Sequence, residues 1–142
     1  MSEQIEASVK LIDSKVRFSA TADSNPEIIL DYIPPIGSGK GYMPLQLFLI
    51  SFASCAAATV AALLRKFGRH IDGMKVDVSG TRHMQHPTSF DKILLKFEFV
   101  SEDLTDTDVR NAIDKSEEKY CPVWTMIKGN VEVATEFVII RN

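Results

Sequence analysis

A long run without a charged residue, from position 41 to position 64, most constrains how this chain folds. Its length meets the rule for a helix that spans a membrane. Polar side chains such as Gln46 and Thr59 interrupt the run, and the side chains of residues 55–58 are small instead of lipid-filling. Because a helix that is apolar on all sides lies either in a membrane or in a protein core, we expect a buried central helix and no membrane partner.

Proline and glycine mark the limits of this helix. Pro44 suits the first turn, residues 45–67 contain neither Pro nor Gly, and Gly68 provides a C-terminal cap. At a rise of about 1.5 Å per residue the helix is roughly 35 Å long, so it must run through the middle of a chain of this size. Its small-residue centre lets another backbone approach closely, and a second copy of the same helix across a dimer axis is one natural partner.

Alternating apolar and polar residues predict strands on both sides of the helix. The predicted strands cover residues 5–11, 16–22, 28–32, 74–79, 92–99 and 131–139. A capping pattern at Thr105 and Asp108 predicts a second helix, and Cys121-Pro122 predicts a short third one. The order βββ-α-ββ-α-(short α)-β clusters the strands, so we predict an α+β fold with mostly antiparallel pairing. Residues 1–142 show no repeat or linker, and we expect a single domain.

Charge and cysteine content exclude several classes of protein. A net charge of −3 on 142 residues gives no electrostatic reason to expect a nucleic-acid partner. Two cysteines are too few for the disulfide framework of a small secreted protein, although they are enough for a reactive pair. Residues 1–10 are polar and lack the apolar core of a signal peptide, so the expected compartment is the cytoplasm.

Two further patterns lack the context of a functional motif. Residues 37–41 read Gly-Ser-Gly-Lys-Gly, but a phosphate-binding loop needs Gly at position 34 and Ser or Thr at position 41. His83 and His86 are spaced like metal ligands, yet they fall in a predicted hairpin loop, and a zinc site needs three or four convergent ligands. We therefore predict neither a phosphate loop nor a metal site.

The two cysteines are the remaining candidates for chemistry. The residues alone leave Cys55 with two interpretations, a small buried apolar side chain or a nucleophile that needs a nearby cation. Cys121 is either an ordinary residue before a helix or a reactive thiol, because a helix N-terminus lowers the pKa of a thiol.

Two sequence blocks surround these cysteines. Residues 44–48 read Pro-Leu-Gln-Leu-Phe and residues 51–55 read Ser-Phe-Ala-Ser-Cys, which describes a proline-led helix continuing into small residues and a cysteine. Residues 117–123 read Glu-Glu-Lys-Tyr-Cys-Pro-Val, a Cys-Pro pair after a charged helix. The two blocks, the two-strand segment between them and the order of elements across nearly the whole chain resemble the OsmC/Ohr family of thiol-dependent hydroperoxide reductases.

The resemblance implies both an assembly and a mechanism. Members of the family are intertwined homodimers, with two long helices at the centre and sheets that contain strands from both chains. Carried over, Cys55 attacks an organic hydroperoxide or hydrogen peroxide, and Cys121 resolves the sulfenic acid as a disulfide. No cofactor is implied. An external dithiol reductant closes the cycle by exchange, and in the Ohr branch that reductant is a lipoyl protein.

The chain departs from the family pattern at the start of the long helix. The family places a Glu one or two residues after the helix-opening proline, where it orients an arginine that activates the first cysteine. Leu45 and Gln46 stand there instead, and Gln46 can hydrogen-bond an arginine without supplying charge. Arg17 is the only arginine before the helix and is therefore the candidate for this role.

Two functions follow as expectations. The first is a peroxidase that turns over through Cys55 and Cys121. The second is a dimeric ligand-binding or redox-sensing module on the same fold, without turnover, because the family acid is replaced.

Overall fold

The uncharged run forms helix α1, Pro44–Lys66, in the computed structural model, which describes residues 3–142. Pro44 is its first residue, and Gly68, at a φ of 85°, follows its last turn and donates its N–H to the Arg65 carbonyl. Proline fits the first turn because it has no N–H to leave unpaired, and glycine tolerates positive φ. The predicted limits of the helix are confirmed.

Helix α1 is long and apolar enough to cross a membrane when judged by length and composition alone, a test that the core helix of a folded domain also passes. Its buried residues recur at intervals of one, three and four, as expected for one helix face in a core. They are Phe52, Ala53, Ala56, Val60 and Leu64.

Contacts within the chain divide it into two compact units, one ending at Phe48 and the other covering Leu49–Asn142. The first unit holds an antiparallel sheet of three short strands, in the order β1-β2-β3. The strands are β1 (Ser8–Leu11), β2 (Phe18–Thr21) and β3 (Ile28–Leu30). Ser8 pairs with Thr21, and Phe18 pairs with Leu30, so the predicted hairpin and third strand are confirmed with shorter limits.

The second unit holds a mixed sheet of three long strands, β4 (Gly73–Arg82), β5 (Phe90–Val100) and β6 (Glu132–Ile140). Strand β4 pairs with β5 in antiparallel fashion, whereas β6 runs parallel to β5. A parallel neighbour requires a crossover of a dozen or more residues, which the helical segment between β5 and β6 supplies. The prediction of an α+β fold with mostly antiparallel pairing is confirmed, with this one parallel pair.

The crossover contains helix α2 (Asp106–Lys115), a π-helical turn (Ser116–Tyr120, called the π turn below) and helix α3 (Pro122–Ile127). A capping box starts α2, because Thr105 and Asp108 each accept the backbone N–H of the other through their side chains. The second helix predicted from the capping pattern is confirmed. The sequence pattern gave no sign of the π turn, into which the chain widens after Lys115.

The core of the second unit combines apolar side chains from its helices and from one face of β5. The alternation predicted for β5 is confirmed, since its inward residues are buried and its charged residues face outward. Besides the five buried residues of α1, the core contains Ile93, Leu95, Phe97, Phe99, Leu104, Val109, Ala112, Ile113, Trp124 and Ile127.

A hydrogen-bonded cluster ties the segment after α1 to the segment after β5. His70 Nδ1 lies 2.9 Å from Asp103 Oδ2, and the backbone N–H of His70 donates to Asp103 Oδ1 at 3.0 Å. The hydroxyl of the buried Ser101 donates to the His70 carbonyl at 2.6 Å. The hydrogen bond from His70 is the main cause that lowers the pKa of Asp103 to about 2, and the same bond raises the pKa of His70.

The His70–Asp103 pair predicts a pH-dependent contribution to stability. The raised pKa of His70 stabilises the fold below its unfolded value of about 6.5, and this contribution is lost as pH rises through the folded value. The lowered pKa of Asp103 stabilises the fold above the ordinary value of 3.8, and this is lost as pH falls toward about 2.

We therefore expect a His70→Asn variant to lower the melting temperature most between about pH 4 and pH 6.5, and least above pH 8. The difference in melting temperature between the wild-type protein and this variant should shrink in high salt, because the His70 side chain is 72% exposed and its charge is screened. Thermal unfolding of both proteins at pH 5 and pH 8.5 checks this. A larger difference at pH 8.5 would contradict it.

Candidate functional site

The two cysteines, far apart in the sequence, meet in the second unit. The Sγ atoms of Cys55 on α1 and Cys121 before α3 are 3.0 Å apart, and the Cys121 thiol donates a hydrogen bond to Cys55. Both are free thiols, and the gap is about 1 Å longer than the roughly 2.05 Å of a disulfide bond. Cys121 is 0% exposed, whereas Cys55 is half-buried. A small oxidant therefore reaches Cys55 first.

The π turn sets the position of Cys121. The Cys121 N–H donates to the Ser116 carbonyl at 2.9 Å, five residues back, which closes the wide turn. Pro122 then starts α3, and the Trp124 N–H donates to Cys121 Sγ at 3.5 Å. Because π turns insert one extra residue per turn, this one rotates Cys121 away from the register that α2 would give it.

An aromatic contact fastens α3 to α1. The rings of Phe52 and Trp124 meet edge to face, with centroids 5.5 Å apart and an angle of 80° between the planes. Phe52 precedes Cys55 by three residues and Trp124 follows Cys121 by three, so the contact lies about one helical turn from each sulfur. Both rings are almost fully buried, and such pairs contribute about 0.5–1.5 kcal/mol beyond the area they bury.

A pair of hydroxyls fastens the π turn to α1. Thr59, one turn after Cys55, shares a hydrogen bond with the hydroxyl of Ser116, and its Oγ1 also donates to the Ala56 carbonyl at 3.0 Å. Ser116 is fully buried, so the Thr59 hydroxyl is the partner that satisfies it. Cys55 and Thr59 on α1 thus hold Cys121 and Ser116 at the two ends of one closed turn.

The environment of Cys121 opposes one of the two interpretations that its sequence position leaves open. A helix N-terminus by itself would lower the pKa of the thiol. Burial is the main cause that instead raises the pKa of Cys121 to about 11, and the hydrogen bond to Cys55 adds to it. The N–H of Trp124 opposes these effects without outweighing them. At neutral pH Cys121 is therefore a neutral thiol and a hydrogen-bond donor.

A groove of about 330 Å³ lies between α1 and β4. Ser54 is its polar lining residue, and neither Cys55 nor Cys121 lines it. The other lining residues are apolar and come from α1 and β4, namely Ile50, Ala53, Ala57, Met74, Val76 and Val78. The groove can hold an apolar group.

The structure places Arg17 in the first unit, immediately before β2. Its Nε lies 3.4 Å from Asp31 Oδ2 and 3.9 Å from Asp13 Oδ2. The Asp31 side chain is 0% exposed, whereas that of Arg17 is 28% exposed. Arg17 therefore has a buried carboxylate as its partner within this unit.

Sequence reasoning missed Asp31. Its carboxylate accepts backbone N–H groups from Tyr32 at 2.8 Å, Lys40 at 3.1 Å and Ser38 at 3.2 Å. Burial alone would raise the pKa of Asp31, but these donors and Arg17 outweigh it and lower the pKa below its ordinary value. The available signal was a lone acidic residue inside the apolar stretch 28–33, followed by a loop rich in glycine.

The glycine-rich loop binds this internal carboxylate. The Ser38 and Lys40 N–H groups, which lie in the stretch that resembles a phosphate loop, both donate to Asp31 Oδ2. His83 and His86 lie exposed in the loop between β4 and β5. Across residues 3–142, no group of three or more His, Cys, Asp and Glu side chains converges as a metal site would require.

Gln46 caps the start of α1. Its Oε1 accepts the backbone N–H of Met43 at 2.9 Å, which is the reach-back bond of a capping box. This bond satisfies one of the free N–H groups at the helix start. Leu45 beside it carries no charge, so neither residue supplies an acid at this position.

Comparison with known proteins places this chain among relatives along most of its length. The model of the OsmC-like protein family matches residues 37–136, which contain both cysteines. The chain belongs to the OsmC-like family. YhfA of Escherichia coli K12 is 28% identical to this OsmC-like protein over 137 residues, which is 96% of this chain and 98% of YhfA.

Solved structures share the fold. A hypothetical protein from Aquifex aeolicus has a TM-score of 0.87 and 26% identity, with 99% of each chain covered. An organic hydroperoxide resistance protein from Legionella pneumophila has a TM-score of 0.73 and 18% identity, and covers 95% of this chain and 96% of its own. The α+β architecture predicted from the resemblance to OsmC-like proteins is therefore confirmed.

The Asp31 carboxylate leaves no space for a side chain at position 37, which is glycine. A Cβ at this position would lie closer than 3.0 Å to Asp31 Oδ1 and to the Tyr32 backbone. We expect Gly37→Ala to destabilise this OsmC-like protein by about 1–3 kcal/mol, as overpacking of a filled site does.

Urea unfolding measures the stability of Gly37→Ala, and amide hydrogen exchange at Ser38 and Lys40 shows whether the damage is local. Ser38→Ala is the matched control, since it keeps the N–H that binds Asp31. Equal stability of Gly37→Ala and Ser38→Ala would contradict this account of the loop.

The Thr59–Ser116 hydroxyl pair predicts a difference between two small substitutions at position 59. Thr59→Val removes the hydroxyl at similar volume and leaves the buried Ser116 hydroxyl unsatisfied, at a cost of about 1–3 kcal/mol. Thr59→Ser keeps the hydroxyl. We expect Thr59→Val to slow formation of the Cys55–Cys121 disulfide by diamide as well, since Ser116 closes the turn that positions Cys121. Similar stability and oxidation rates in the two variants would show that the hydroxyl pair does not position Cys121.

Proposed function

We propose that this OsmC-like protein is a thiol-dependent peroxidase, which reduces organic hydroperoxides or hydrogen peroxide through Cys55 and Cys121. The observation that carries this proposal is the pair of free sulfurs 3.0 Å apart, one half-buried and one fully buried. Burial separates their roles, because only Cys55 is open to an incoming oxidant. The fold shared with a protein named for organic hydroperoxide resistance supports the same reaction class.

Peroxide reduction begins at Cys55. Its thiolate attacks the terminal oxygen of the hydroperoxide, the O–O bond breaks, and the alkoxide leaves and takes up a proton to give the alcohol, while the sulfur becomes a sulfenic acid. As the resemblance implies, Arg17 would supply the cation that favours the thiolate, and Asp31 is the carboxylate that holds this arginine in its own unit.

Resolution follows at Cys121. Its sulfur attacks the Cys55 sulfenic acid, a disulfide forms and the sulfenic oxygen leaves as water. The sulfurs need to approach by only about 1 Å from their present separation, so little rearrangement is required. The contacts of Phe52 with Trp124 and of Thr59 with Ser116 hold the two segments in place for this step.

Regeneration requires an external dithiol, since the chain contains no third cysteine. The incoming thiolate attacks Cys55 in this proposal, because the Cys121 sulfur is fully buried. The reaction needs no metal or cofactor. We further propose that the protein works as a homodimer in the cytoplasm, where a lipoyl-type dithiol is one class of reductant available to it.

Peroxide consumption by purified protein tests the proposed function. With cumene hydroperoxide and dihydrolipoamide, we expect Cys55→Ser to reduce consumption to the rate of the dithiol alone. Cys121→Ser should form sulfenic acid once but no intramolecular disulfide. Met84→Ala is the matched control, since Met84 is 95% exposed in the β4–β5 loop.

Wild-type turnover in Cys55→Ser would refute the assignment of the nucleophile. A stoichiometric disulfide in the wild-type protein, without turnover under any dithiol, would instead identify a redox-sensing module.

A further inference from the structure

The high pKa of Cys121 raises a chemical problem for the proposed peroxidase. A thiolate, and not a thiol, is the nucleophile in disulfide formation. Burial raises the pKa of Cys121 to about 11, so almost none of it is ionised at neutral pH. The peroxide has the opposite requirement. When its O–O bond breaks at Cys55, the departing alkoxide must gain a proton, whereas Cys121 must lose one.

The contacts of Cys121 connect these two needs. Its S–H donates to Cys55 Sγ at 3.0 Å, so its proton already points to the atom at which the peroxide reacts. The Trp124 N–H donates to the Cys121 sulfur at 3.5 Å, and this donor remains in place for a thiolate. Cys121 is 0% exposed, so bulk water does not compete for its S–H and the proton stays directed at Cys55.

We propose that Cys121 is the general acid of peroxide reduction as well as the resolving thiol, a role that rests on the proposed function. The Cys121 thiol gives its proton to the departing alkoxide, and the thiolate needed for resolution is formed in the same event. The direction is favourable, because an alkoxide is a stronger base than a thiolate.

The atoms and charges balance over both steps. In the first, the Cys55 thiolate, the hydroperoxide and the Cys121 thiol give Cys55 sulfenic acid, an alcohol and the Cys121 thiolate. The peroxide is reduced by two electrons and the Cys55 sulfur is oxidised by two. In the second, the Cys121 thiolate attacks the Cys55 sulfur, the S–S bond forms, the S–O bond breaks and hydroxide leaves. One negative charge enters and one leaves.

This coupling fixes the order of events. Cys121 remains a neutral thiol until a peroxide has been reduced, so it does not compete with Cys55 for the oxidant. Once the alcohol has formed, the resolving thiolate lies 3.0 Å from its target in the starting geometry and needs no further activation. Fast resolution also protects Cys55 from oxidation beyond sulfenic acid.

Single-turnover formation of Cys55 sulfenic acid tests the acid role separately from resolution. Cys121→Ala removes the donor and Cys121→Ser retains a hydroxyl donor, while neither can form the disulfide. We expect Cys121→Ala to slow sulfenic acid formation from tert-butyl hydroperoxide by about 100-fold at pH 7, in the range typical of general-acid catalysis. Cys121→Ser should recover part of this rate. Stopped-flow mixing with a dimedone-type trap and mass spectrometry gives the rates.

The leaving group distinguishes acid catalysis from lost packing. A percarboxylic acid releases a carboxylate, which needs no proton, so the defect of Cys121→Ala should shrink at least about 10-fold with this oxidant. An equal defect with both oxidants would overturn the acid role, as would a wild-type rate in Cys121→Ala. If the wild-type protein forms no sulfenic acid at all, the proposed function itself fails, which is a different outcome.

Discussion

The contact between the π turn and α1 is the constraint on which the candidate site depends. Cys121 lies within the crossover between the parallel strands β5 and β6, and nothing in its local sequence directs it toward α1. The turn is closed by the Cys121 N–H on the Ser116 carbonyl, and Ser116 is held on α1 by Thr59. On the other side of Cys121, the ring contact between Phe52 and Trp124 holds α3 against α1. The sulfur pair is therefore the product of contacts one turn away from each cysteine.

The two sulfurs of the candidate site differ in how deeply they are buried, although they are in contact with each other. A thiol at the start of a helix is expected to ionise easily, and Cys121 does the opposite because desolvation outweighs the backbone N–H groups of Trp124 and Val123. Cys55 keeps partial exposure and accepts the hydrogen bond. The asymmetry needs no metal and no charged neighbour at Cys121. It arises from how deeply each segment lies in the same core.

Sequence periodicity predicted the elements well, and long-range geometry poorly. Proline at position 44 and glycine at position 68 marked α1, and alternation marked the buried face of β5, because both signals are local. The parallel pairing of β6 is set by the crossover, and the π turn is closed by the hydrogen bond from the Cys121 N–H to the Ser116 carbonyl. Neither feature produces a periodic pattern in the sequence. The family resemblance implied that the two cysteines lie close together, whereas the direction of their hydrogen bond is visible only in the structure.

An ion-paired arginine in the first unit does not require the acid that the family pattern places at the start of α1. Leu45 and Gln46 supply no charge, and Gln46 is occupied as a helix cap. Arg17 nevertheless has a fully buried carboxylate partner, Asp31, in its own unit. Three backbone N–H groups keep that carboxylate ionised, and the loop that provides them closes tightly over Gly37. A single missing acid in a motif is therefore weak evidence against an ordered arginine, because the fold can supply the carboxylate from another element.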